Sequence, residues 1–97
     1  MQELTEREKV AFKTIIDDTM YTMGAKIPSH IHDDNCSWHN HTTIMESGYT
    51  EPQAKGFLSS LDSKGYIHNY DPDSEWGWAL TGEGIDKAQE YFGEEND

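Results

Sequence analysis

Residues 42–67, TTIMESGYTEPQAKGFLSSLDSKGYI, restrict the fold more than any other part of this chain. Thr50-Glu51-Pro52-Gln53 has the capping-box form, in which the Thr hydroxyl and the Gln amide each satisfy a backbone N–H at a helix start. Pro52 falls in the first turn, where its missing N–H is harmless. A helix is therefore predicted to begin at residue 51 and to run to 64. Ala54, Phe57, Leu58 and Leu61 form its apolar stripe, and Lys64-Gly65 closes it with a cation at the negative end and a glycine cap. Before the box, Thr42–Ser47 reads as a short helix with Ile44 and Met45 turned inward and Gly48 ending it.

The flanking segments supply the rest of a small core. Thr5-Glu6-Arg7-Glu8 is another capping box, followed by Phe12, Ile15, Ile16, Thr19, Met20 and Met23 at helical spacing, with Gly24 as the stop. Arg7, Lys13, Asp17 and Asp18 fall on the opposite, solvated side. Downstream, Tyr66–Tyr70 and Glu75–Leu80 read as strands around the turn Asp71-Pro72-Asp73-Ser74, with Trp76, Trp78 and Leu80 on one face of the second strand. Thr81 can cap a last helix in which Ile85, Ala88 and Phe92 are spaced for packing. Residues 25–41 contain Pro28 and have no helical period, so they read as an irregular His-rich loop insert with room for a short strand, and 93–97 as an acidic tail. At 97 residues the chain suits one domain over 1–97, α+β and mainly helical.

The order and spacing of these signals resemble those of MarR-like winged-helix regulators. A short helix, Gly48, Tyr49, the Thr50 cap, a longer helix and Lys64-Gly65-Tyr66-Ile67 follow the family's helix-turn-helix. Trp78-Ala79-Leu80-Thr81-Gly82-Glu83-Gly84 follows the segment that ends the wing and opens the last helix, and Leu4-Thr5 fits the start. The resemblance implies a winged helix-turn-helix with a C-terminal β-hairpin wing and a terminal helix. It also implies transcription control, with helix 51–64 as recognition helix in the major groove and the wing on phosphates or minor groove.

Charge points to a different partner. The chain has 19 acidic and 7 basic residues, a formal net charge of −12. Asp71, Asp73, Glu75, Glu83, Asp86, Glu90, Glu94, Glu95 and Asp97 all follow residue 67, against the single base Lys87. Such a field repels phosphate backbones and attracts basic protein surfaces. The outward positions of the recognition helix, Gln53, Lys55, Gly56, Ser59, Ser60, Asp62 and Ser63 behind the Thr50 cap, offer no arginine to read guanine, and the wing tip carries acids. The favoured expectation is a non-enzymatic acidic winged helix that binds and modulates a basic nucleic-acid-handling protein as adaptor, inhibitor or DNA mimic, a form common among small phage-encoded inhibitors. Its partner-binding residues would be Asp71, Asp73, Glu75, Glu83 and Asp86. The alternative is a DNA-binding regulator that reads bases through the 51–64 helix, because residues 42–67 carry only three acids against two bases.

His30, His32, Cys36, His39 and His41 concentrate imidazole and thiolate in twelve residues, enough donors for a tetrahedral zinc site, although the spacing matches no standard finger. The simpler reading is a polar loop without a metal or other cofactor. Cys36 with His39 or His41 lacks an identifiable orienting group, so no enzyme is expected. Tyr66, Tyr70, Trp76 and Trp78 read as a core beneath the wing with one or two rings left as interface anchors. Phe12, Met20, Ile85, Tyr91 and Phe92 could form a homodimer face or complete the monomer core. One cysteine, no apolar run of membrane length and no secretory pattern at the start predict a soluble, cytoplasmic protein without a membrane partner.

Overall fold

The computed structural model describes residues 3–31, 38–74 and 76–93. His32, Asp33, Asp34, Cys36, Glu75, Glu94, Glu95 and Asp97 lie outside these residues. The described elements are α1 (Glu6–Met23), a 3₁₀ turn (Pro28–His30), α2 (His41–Met45), α3 (Glu51–Ser63), β1 (Ile67–Asn69), β2 (Trp78–Leu80) and α4 (Gly82–Phe92). This is a mostly helical α+β arrangement with one antiparallel hairpin.

Both capping boxes form. Thr5 accepts from the Glu8 amide while the Glu8 carboxylate accepts from the Thr5 amide, and Thr50 and Gln53 exchange the same pair of bonds at α3. Gly24 takes the left-handed cap at φ 70°, which ends α1 where the apolar stripe runs out. Phe12, Ile15, Ile16 and Thr19 are buried as expected, and Met20 and Met23 pack at the edge of the same core.

The core joins α1 to Ile44 of α2, to Ala54, Leu58 and Leu61 of α3, to Ile67 and Leu80 of the hairpin, and to Ile85 and Ala88 of α4. β1 pairs with β2 in the register Ile67↔Leu80, His68↔Ala79 and Asn69↔Trp78. Thr81 both caps α4, accepting from the Gly84 amide, and donates to the Gly65 carbonyl at 2.6 Å. The start of α4 is thereby fixed against the end of the α3–β1 turn.

Several expectations need correction. Met45 is 36% exposed, and Thr43 instead joins Ile44 inside, because α2 begins one residue earlier, at His41, with Asn40 as its cap. The strands are shorter than the aromatic runs: Trp76 lies outside β2 and is 51% exposed, while Trp78 and Leu80 keep the inward alternation. The insert 25–41 does include a short extended piece, at its end. His39 forms an antiparallel bridge with Trp78, through His39 N–H to the Trp78 carbonyl at 2.7 Å and the reverse bond at 3.1 Å, placing a third extended segment beside β2.

Candidate functional site

The outer side of α3 and the turn of the hairpin hold most of the residues singled out for partner contact. Gln53, Lys55, Gly56, Ser59 and Ser63 are exposed, as the stripe on the other side requires. Ser60 is not. Its hydroxyl donates to the Glu8 carboxylate, so it faces α1 rather than solvent. Lys64 reaches the same carboxylate at 2.6 Å and the Glu3 carbonyl at 3.2 Å. Burial alone would raise the Glu8 pKa, but hydrogen bonds from Lys64, Ser60 and the Thr5 amide, with the Lys64 charge, outweigh it and hold the carboxyl at about 2.

The remaining lysine of this helix is also paired. Lys55 Nζ lies 2.9 Å from Glu51, and His41 Nε2 lies 3.9 Å from the same carboxylate, an ion pair when the ring is protonated. The hydrogen bond and charge of Lys55 lower the Glu51 pKa. An exposed pair of this kind contributes little stability, yet it cancels the local charge seen by an approaching ligand. Among the described acids of the hairpin and α4, Asp71, Asp73, Glu83 and Asp86 are all exposed.

The histidines separate. His39 is completely buried, its Nε2 2.8 Å from Thr19 Oγ1 and its Nδ1 3.2 Å from an Asp18 carboxylate oxygen. Burial lowers its pKa, and Asp18 opposes the shift without cancelling it. The Thr19–His39–Asp18 connectivity is that of a nucleophile, base and orienting acid, but Thr19 has no exposed surface to offer a substrate. These contacts fasten the insert to α1. His30 is exposed and His41 flanks the cleft beside α3. Among the described residues, no group of three His, Cys, Asp or Glu side chains is arranged to hold a metal, and His32 and Cys36 fall outside them.

Between α2, α3 and β2 lies a cleft of about 330 Å³, with Leu58 and Trp78 as its apolar walls and Asn40, His41, Lys55 and Asp62 among its polar groups. Above the hairpin, Trp38 and Tyr70 meet edge-on, ring centroids 6.1 Å apart, and Tyr70 meets His68 at 4.8 Å. Of the hairpin aromatics expected from sequence, Tyr70 and Trp76 are the two left exposed. Trp38 was not among the aromatics singled out from sequence, because nothing local marks residues 38 and 39 as strand.

The terminal-helix aromatics are used within the chain. Phe12 and Ile85 are core residues, and Met20, Tyr91 and Phe92 pack against that core. Tyr91 OH also accepts from the Leu4 amide and donates to Glu3, tying the chain start to α4. No helix of the described residues is long and apolar enough to cross a membrane. No protein-family profile, curated protein or solved structure matches the chain.

Proposed function

We propose that this chain is a non-enzymatic acidic winged helix that binds and modulates a nucleic-acid-handling protein through that protein's basic surface. The element order, three helices followed by a hairpin and a closing helix, supports the winged-helix reading, as does the His39–Trp78 bridge that brings a segment between α1 and α2 to the sheet. The observation that carries the choice of partner is the pairing of both cations at α3. Lys55 is held by Glu51 and Lys64 by Glu8, while the hairpin turn presents Asp71 and Asp73 to solvent. A DNA reader draws on free cations around its reading helix, since phosphate neutralisation supplies a large share of its affinity.

Fluorescence anisotropy with mixed-sequence duplex DNA, at about 50 and 200 mM salt, separates the two readings. No binding at either salt is expected. Binding that weakens steeply with salt would replace this reading with the regulator that uses Thr50, Gln53, Lys55, Gly56 and Ser59 on the 51–64 helix. The positive arm is competition. A basic partner retained by the wild-type chain should be displaced by duplex DNA and lost when Asp71, Asp73, Glu83 and Asp86 are changed to lysine.

A further inference from the structure

Exposed aromatic residues are unremarkable one at a time, but here they are contiguous and ordered by strand register. His39 is buried and bridges Trp78, so Trp38, one step back along an extended segment, points to the opposite face. The same antiparallel register sets Trp38 beside Ala79, whose other cross-strand neighbour is His68. Ala79 is the small residue between two large ones. Ala79 is only 3% exposed, and on its face the rings of Trp38, Tyr70 and His68 meet one another while Trp38, 44% exposed, and Tyr70, 53% exposed, keep much of their own surface open.

The turn that follows Tyr70 adds the exposed carboxylates of Asp71 and Asp73, and Asp62 lies 3.6 Å from His68 at the other edge. Aromatic faces bordered by carboxylates suit one side chain above others. A guanidinium stacks flat on a π face and still directs its N–H fork to an acid, whereas an ammonium ion is a compact, strongly hydrated point charge.

We propose that the Trp38–Tyr70–His68 face of the sheet is the docking surface for the partner, and that it takes arginine side chains of a basic protein segment. This rests on the reading of the chain as an acidic protein-binding module and names the part of it that makes contact. The acids draw the basic segment in, and the rings select arginine over lysine.

The test uses the whole chain with labelled oligo-arginine and oligo-lysine peptides of equal length at low salt, read by anisotropy and by the NMR signals of the indole N–H groups. The expected result is binding of both, with the arginine peptide about threefold to tenfold tighter and the Trp38 indole shifted more than that of Trp78. Trp38→Leu and Tyr70→Leu keep an apolar side chain at each position while removing the π face, and each should reduce the arginine preference. Unchanged circular dichroism checks that the variants remain folded. Equal binding of the two peptides, insensitive to both variants, would overturn the docking face and leave the acidic-partner reading standing. No binding of either peptide would overturn both. Binding of single-stranded oligothymidylate, lost in Trp38→Leu, would overturn the proposal in favour of a base-stacking platform.

Discussion

Glu8 does three jobs with one carboxylate. It completes the capping box of α1, accepts from Ser60 and neutralises Lys64, and so links the start of the first helix to the end of the third. Glu8→Gln preserves the capping geometry, since glutamine serves at this position, but removes the charge opposite Lys64. The substitution is expected to lower stability by about 2 kcal/mol near neutral pH, the size of a hydrogen-bonded interaction with a charged group, measured by urea unfolding. The sign with pH follows from the depressed value. A carboxyl at about 2 in the folded chain against 4.5 as the reference value stabilises the fold above about pH 4.5 and loses that contribution as the pH falls toward 2. Wild type should therefore lose stability over that window more steeply than Glu8→Gln. Parallel unfolding curves for the two proteins across the window would show that the pair contributes nothing.

At the scale of elements, two glycines make opposite predictions. A Cβ at Gly84 would overlap the Tyr66 carbonyl, because the first turn of α4 lies directly on the backbone leading into β1. Gly84→Ala should cost about 1–3 kcal/mol, the range for overpacking. Gly56 sits within α3, is exposed and has nothing near its missing Cβ, so Gly56→Ala should stabilise the chain by about 1 kcal/mol, the helix-propensity difference. Thermal melts of the two variants should move in opposite directions. The helices themselves were legible because their signals are local. Thr5 with Glu8 and Thr50 with Gln53 are three residues apart, and each apolar stripe repeats within a single element. A short strand in 25–41 could be allowed for, but its place at His39 and its partner were not legible, since the bridge to Trp78 spans the middle of the chain and residues 38 and 39 show no alternation. Ser60 failed for the same reason: its spacing puts it near the outer side of α3, and only Glu8, 52 positions earlier, turns it inward. Of the candidate site, the acids of the turn could be read directly and the Trp38–Tyr70 contact could not.

For the molecule as a whole, a net charge of −12 on 97 residues means self-repulsion in the folded state. The ion pairs Lys13–Asp17, Lys55–Glu51 and Lys64–Glu8 offset part of it locally, but the exposed acids of the hairpin and α4 have few cations near them among the described residues. Salt should therefore stabilise this protein. Raising the ionic strength from about 20 to about 300 mM is expected to increase the melting temperature by a few degrees, as screening shortens the reach of the repulsion. A fall in melting temperature would mean that the attractive pairs outweigh the repulsive field. The cation inventory of α3 also has a bearing on how such a surface changes its use over time. Glu51 stands beside both Lys55 and His41, so one substitution there, to glutamine for instance, would release both side chains together on the face that lines the cleft. On the proposed reading, a single codon at position 51 thus sets the charge balance of the α3 face, and an acidic protein binder and a nucleic-acid binder would stand close together in sequence space.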